Sequence, residues 1–159
     1  MSLYAIGDLH FSTSVEKPMN IFGDKWDKHE EKIINSWKSN VNEEDIVLVV
    51  GDTSWGINLT EAKSDLDIIS NLSGKKIFIK GNHDYWWTTV TNLNKLYDNM
   101  KFLQTNFYEY GEYAICGVED GFVPMILSLM KMMKKYIKEK KIELDYHFKQ
   151  LRKTDILNL

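Results

Sequence analysis

The stretch Gly81-Asn82-His83-Asp84 follows directly on the apolar run Lys76-Ile77-Phe78-Ile79-Lys80, and this junction decides the fold. A short apolar run bounded by glycine is typical of a buried strand, so an amide, an imidazole and a carboxylate stand at the carboxyl end of that strand. Two earlier apolar runs end in the same way: residues 4–6 lead through Gly7 to Asp8 and His10, and residues 46–50 lead through Gly51 to Asp52. The sequence therefore predicts three strands that bring metal-binding side chains together.

Helical patterns separate these predicted strands. Apolar residues recur at helical spacing from Trp26 to Trp37, and again from Ala62 to Leu72, with Thr60 as the expected N-cap of the second helix. Alternating strands and helices form the doubly wound pattern of α/β proteins, in which ligands collect at the carboxyl ends of parallel strands. Further along, the sequence predicts a short helix near Val90 and short strands at residues 102–103, 107–110 and 113–116, the last two joined as a hairpin.

Composition restricts the classes of function. The chain has 159 residues, of which 43% are hydrophobic, enough for one folded domain with a substantial core. A net charge of −3 gives no nucleic-acid-binding signature, and no apolar run approaches the ~18 residues of a membrane span. The N-terminus lacks the pattern of a signal peptide, and a single cysteine, Cys116, allows no internal disulfide. We therefore predict a cytoplasmic protein.

The strand-end residues suggest metal chemistry. Carboxylate, imidazole and amide groups suit Mn, Fe, Zn or Mg, and this sequence offers them at Asp8, His10, Asp52 and Asn82. A carboxylate between two cations can bridge them, and we expect Asp52 to do so. The adjacent His83 is placed to protonate a leaving group. In contrast, His29 stands among charged residues and is expected to lie on the solvated side of its helix.

These three blocks, Asp8-Leu9-His10, Gly51-Asp52 and Gly81-Asn82-His83-Asp84, resemble in order those of the calcineurin-like metallophosphoesterases. The resemblance implies an α/β fold of the layered αββα sandwich type, two divalent metal ions, and hydrolysis of a phosphoester by metal-activated water. It also implies roles for single residues: Asp8 and His10 on the first metal, Asp52 bridging, Asn82 on the second metal, His83 contacting the scissile phosphate, and Asp84 orienting His83.

The family pattern continues with a further ligand histidine and a G-H-x-H block, and this sequence has neither. After residue 84 its only histidine is His147, which lacks the surrounding block. We therefore expect one stably bound metal ion or none, and impaired hydrolysis. The absent portion normally supplies the second sheet of the sandwich, so a homo-oligomer covering exposed apolar surface is expected. The alternative function is a non-catalytic module that binds a metal or a phosphate, or that oligomerises.

Composition changes near Gly117, which predicts two parts: an N-terminal half of the family fold at residues 1–117 and an atypical helical tail at 118–159. The first part carries 11 basic and 17 acidic residues, whereas the second carries 9 and 6. Residues 125–141 have the pattern of a basic amphipathic helix that covers a core, packs on another subunit, or binds a membrane surface or partner. A shifted reading of permitted codons for residues 118–121 gives Arg-Gly-Trp, as in relatives, so we interpret the tail as out-of-frame sequence. The alternative is a natural, divergent C-terminus.

Overall fold

The computed structural model describes residues 1–111 and 113–117. Its contacts divide the chain into two units, Met1–Gly117 and Val118–Leu159, and the described residues all belong to the first. The helix expected at residues 125–141 lies outside the described residues. Within the described part of the chain, no helix is both long and apolar enough to cross a membrane.

Four parallel strands form the central sheet, which confirms the predicted α/β class. The strands are β1 (Leu3–Ile6), β2 (Ile46–Val50), β3 (Lys75–Ile79) and β4 (Met100–Leu103). Their order in the sheet is β1-β2-β3-β4, which follows the order in the chain. The described sheet therefore lacks the order reversal of a doubly wound sheet. The strand-end residues still meet, because the carboxyl ends of parallel strands lie along one edge.

The helices cover one face of this sheet. They are α1 (His29–Asn40), α2 (Leu59–Ser70) and the short α3 (Val90–Leu93). Trp37 of α1 and Leu66 of α2 are buried in the same apolar cluster as Val47, Phe78 and Phe102 of the strands. Cover on both faces explains why β2 and residues 77–79 of β3 are apolar without alternation, although Val50 at the end of β2 stays exposed.

A hairpin packs against the opposite face. It consists of β5 (Phe107–Tyr110) and β6 (Tyr113–Cys116), which pair antiparallel and confirm the predicted hairpin. Side chains from β5 and β6 contact a second apolar cluster of Ile46, Ile77 and Leu103. On the same face Leu3 and Val50 remain 42% and 49% exposed.

Two expectations for the helix starts are wrong. The N-cap of α2 is Asn58, whose side chain accepts a hydrogen bond from the Glu61 backbone N–H at 3.1 Å, and not Thr60. Helix α1 begins at His29, because a 3-10 turn at Asp24–Trp26 takes up the residues in which the apolar pattern starts.

Candidate metal centre

The loops that follow β1 and β2 are joined by backbone hydrogen bonds beyond the ends of the strands. The N–H groups of Asp8 and His10 donate to the carbonyl oxygens of Gly51 and Asp52, at 3.1 and 2.9 Å. Both residues and Asp52 have left-handed backbone conformations, with φ of 53°, 46° and 51°. Such φ values are uncommon outside glycine and persist where the surroundings enforce them, as at functional sites.

Glycine lets the third loop approach closely. A Cβ atom at Gly81 would lie 2.1 Å from Asp52 Oδ1 and 2.2 Å from the Asp52 backbone nitrogen. Only a residue without a side chain fits there, so the loop after β3 can reach the carboxylate at the end of β2.

Asp52 lies at the centre of the resulting cluster. Its Oδ1 accepts a hydrogen bond from the His83 backbone N–H at 2.9 Å, and its Oδ2 lies 3.0 Å from His83 Nδ1 and 3.9 Å from His10 Nε2. Burial raises the pKa of Asp52, but the hydrogen bonds from His83 and the charges of both imidazoles outweigh it, so the pKa lies below its ordinary value. The carboxylate is therefore ionised near neutral pH.

His10 presents one edge to carboxylates and the rest to aromatic rings. Its Nε2 lies 3.5 Å from Asp8 Oδ1, whereas its Nδ1 is buried without a hydrogen-bond partner. The ring stacks on Trp55 at 4.7 Å between centroids and meets Trp26 edge-on at 6.1 Å. Burial lowers the pKa of His10, although Asp52 and Asp8 oppose this effect. A neutral imidazole is the form that binds a metal.

The donor set fits a divalent metal ion. One ligand atom each from His10, Asp52 and His83 lies within 4.8 Å of the others. Asp8 adds a second carboxylate beside His10 Nε2. Nitrogen and carboxylate donors of this kind suit Zn, Fe or Mn, and an ion among them would offset the two neighbouring negative charges.

Asn82 and Asp84 differ in their relation to this cluster. Asn82 is exposed, and its Nδ2 lies 3.1 Å from His83 Nδ1. Asp84 is fully buried and accepts four hydrogen bonds, from the backbone N–H groups of Gly81, Thr53 and Ser54 and from the indole of Trp86. The carboxylate beside the His83 ring is thus that of Asp52, where Asp84 was expected. The pKa of Asp84 lies above its ordinary value, because the effect of burial outweighs that of the four N–H donors.

Three residues near the cluster lie outside the predicted set of metal and catalytic residues. The prediction of a solvated His29 is wrong, because this residue is half-buried and its Nε2 lies 3.2 Å from the His10 carbonyl oxygen. Trp26 contacts the rings of His10 and His29, and Trp55 contacts those of His10 and His83. The available signal for Trp55 was its position three residues after Asp52, within the same loop.

The chain is similar to a known protein family, to one curated protein and to one solved structure. Residues 1–156 match the model of the family described as calcineurin-like phosphoesterase. The chain is 31% identical over 83 residues to the uncharacterized protein MJ1445 of Methanocaldococcus jannaschii, an alignment that covers 52% of this chain and 46% of that relative. The chain thus spans about half the length of this curated relative. A crystal structure of the protein of unknown function AQ665 from Aquifex aeolicus aligns with a TM-score of 0.48 and 21% identity, over 89% of this chain and 75% of that one.

Proposed function

Because the chain belongs to the calcineurin-like phosphoesterase family, we propose that it hydrolyses phosphoesters with the strand-end cluster as its active site. The observation that carries this proposal is the convergence of His10, Asp52 and His83, whose ligand atoms lie within 4.8 Å of one another. Three separate loops supply these groups, so the convergence is a property of the fold and not of one local turn.

In this proposal Asp8, His10 and Asp52 hold the first divalent ion, and Asp52 and Asn82 contribute to a second. Mn, Fe, Zn and Mg all suit these donors, and Mn is the ion we would test first. When bound, such ions acidify water and neutralise charge on the phosphate. The stacking of Trp55 on His10 fixes the ring, so that Nε2 keeps facing the carboxylates.

His83 would contact the scissile phosphate and protonate the leaving oxygen. Its Nδ1 lies 3.0 Å from Asp52 Oδ2, and this contact orients the ring. Nε2–H is then the group that donates to the leaving oxygen. Asp84 supports this arrangement indirectly, because it fixes the loops that carry Asp52 and His83.

A second candidate function is a non-catalytic, self-associating module that binds a metal or a phosphate. The sequence favours it in one respect: the four histidines of the chain include no G-H-x-H block. With fewer imidazoles, the second ion would be held weakly. A homo-oligomer would also cover the apolar side chains exposed on the sheet.

A phosphatase assay with added Mn, run together with metal counting on the full chain, tests the proposal. We expect Mn-dependent hydrolysis of p-nitrophenyl phosphate or its bis ester, lowered at least ~100-fold in Asp52→Asn, a loss on the scale known for partners in metal sites. The control is Asp98→Asn, since Asp98 is an exposed acid outside the cluster. Turnover that survives Asp52→Asn would exclude this mechanism, and bound metal without turnover would favour the non-catalytic module.

A further inference from the structure

A cavity of about 250 Å³ lies beside the metal centre. Its lining comprises the loop residues Glu16, Lys17, Pro18, Met19, Ile21 and Phe22, together with Trp55. Trp55 connects it to the cluster, because the centroid of its ring lies 4.7 Å from that of His10 and 5.1 Å from that of His83. A group in the cavity would therefore be only one aromatic ring away from both imidazoles.

The outer wall of the cavity is apolar and open to water. Ile21 and Phe22 lie on a 3-10 turn (Met19–Phe22) and are 72% and 65% exposed. The turn is anchored beneath them, where Met19 is 6% exposed and its sulfur accepts a hydrogen bond from the Trp55 indole at 3.2 Å. Exposed apolar side chains on an anchored turn are a preformed surface that gains free energy when a ligand covers it.

The lining carries one charge of each sign, on Glu16 and on Lys17. The Nζ of Lys17 lies 5.1 Å from the centroid of the Trp55 ring. Among the ion pairs of the described residues, none involves Lys17. Because Glu16 offsets the charge of Lys17, the lining favours an uncharged leaving group over a charged one.

We propose that this cavity receives the leaving group of the substrate, and that this group is apolar and about the size of one ring. This inference rests on the proposed function, because it assumes that the phosphate binds at the metal centre. The small, concave shape favours part of a small molecule over a protein segment or membrane surface, and sharing Trp55 with the cluster favours a group joined to the phosphate.

Binding of two phosphonates to the Mn-loaded full chain tests the inference without requiring turnover. Benzylphosphonate carries a ring and methylphosphonate does not. We expect calorimetry to show about tenfold tighter binding of the benzyl compound, the effect of removing roughly 55 Å² of apolar surface from water. Phe22→Ser and Ile21→Ser should each lower the benzyl affinity several-fold and leave the methyl affinity unchanged. The control is Leu96→Ser, which removes an apolar side chain that is 40% exposed elsewhere.

The possible results distinguish a failure of the cavity proposal from a failure of the proposed catalysis. Equal affinities for the two phosphonates, or a loss in Phe22→Ser that is the same for both, would overturn the inference even if phosphoesters are hydrolysed. A preference for the benzyl compound that depends on Phe22 supports the inference, and hydrolysis of phenyl phosphate then tests the chemistry separately. A preference without any hydrolysis would contradict the proposed catalysis alone.

Discussion

Asp84 connects the two loops that carry Asp52 and His83. Its Oδ1 accepts hydrogen bonds from the Thr53 and Ser54 backbone N–H groups at 2.8 and 3.4 Å, and its Oδ2 accepts one from Gly81 at 2.8 Å. All of its partners are N–H donors, so both side-chain oxygens at this position must be able to accept hydrogen bonds. The role of this residue in the structure is therefore to position other groups.

We expect Asp84→Asn to destabilise the fold by about 2 to 4 kcal/mol, because the new NH₂ group must face an N–H donor in a buried site. The measurement is the free energy of unfolding in urea, with Asp98→Asn as the control at an exposed position. Mn affinity should fall as well, since Asp52 loses its support. Stability equal to that of the control would contradict the positioning role.

At the residue scale, the sequence identified the side chains that follow strands but did not predict that His29 lies beside them. Asp8, His10 and Asp52 could be predicted as a group because each follows an apolar run and a glycine. His29 could not, because its contact with the His10 carbonyl depends on where α1 packs. A helical sequence pattern gives the face of a residue but not the loop that covers it.

Among the elements, α2 has a capped N-terminus that the sequence pattern placed two residues too late. Asn58 accepts a hydrogen bond from the Glu61 N–H, and Glu61 Oε2 in turn accepts one from the Ile57 N–H at 2.8 Å. The pair resembles a capping box, with Glu61 as the third residue of the helix, but Glu61 accepts from the residue before the N-cap and not from the N-cap itself. Thr60 already lies inside the helix and is exposed.

Asn58→Ala should therefore cost about 1 kcal/mol of stability, the usual loss on removing a side-chain cap. Thr60→Ala, at the position expected from sequence, is the matched control and should change stability by less than about 0.5 kcal/mol. Thermal and urea unfolding of both variants would measure the difference. A larger loss in Thr60→Ala would show that the helix begins where the sequence pattern placed it.

The burial of Lys76 on β3 is a second feature that the sequence pattern did not predict. This residue has no exposed surface, and its Nζ donates to the carbonyl oxygens of Ser70 at 3.2 Å and of Leu72, at the end of α2. Burial lowers its pKa to about 8, with a small opposing effect of Glu43. A lysine beside the end of a helix satisfies carbonyls that have no partner within the helix.

This lowered pKa predicts how stability depends on pH. An unfolded lysine titrates near pH 10.4, so between about pH 8 and 10.4 the folded chain binds fewer protons than the unfolded chain. Stability therefore rises with pH across this window, by up to about 3 kcal/mol, and the cost of burying the charge is fully present below it. Lys76→Met should remove this rise, whereas Lys75→Met, at an exposed neighbour, should keep it. Urea unfolding at pH 7 and pH 10 would distinguish them; equal pH dependence in both variants would refute the assignment.

For the molecule as a whole, the order of strands and helices could be predicted, but their arrangement in space only partly. Apolar runs and turn residues located β1, β2 and β3 within a residue and the β5–β6 hairpin at its observed ends. The strand order could not be read, because right-handed connections allow both a sequential and a reversed sheet. The coverage of each face depends on packing between distant segments, which local periodicity does not encode.

The sheet face opposite the helices leads to the prediction at this scale. Leu3 and Val50 lie on the same face as Ile46, because Leu3 pairs with Ile46 and Val50 follows Ile46 by four residues along β2. They remain 42% and 49% exposed. Apolar side chains next to an existing core are a suitable surface for a second copy of the chain.

We therefore expect the chain to self-associate, with a sedimentation coefficient that rises with protein concentration. Leu3→Lys combined with Val50→Lys should shift the equilibrium towards monomer, because like charges across a symmetric interface cost several kcal/mol and lysine removes the apolar contact. Ile57→Lys is the control, since Ile57 is 66% exposed but precedes α2 and lies outside the sheet. A monomer at every concentration would contradict association, and equal weakening by the control would contradict the choice of face. If association and Mn-dependent turnover are both observed, Leu3→Lys alone also tests whether hydrolysis requires the oligomer, because Leu3 begins β1 and the cluster lies beyond the other end of that strand.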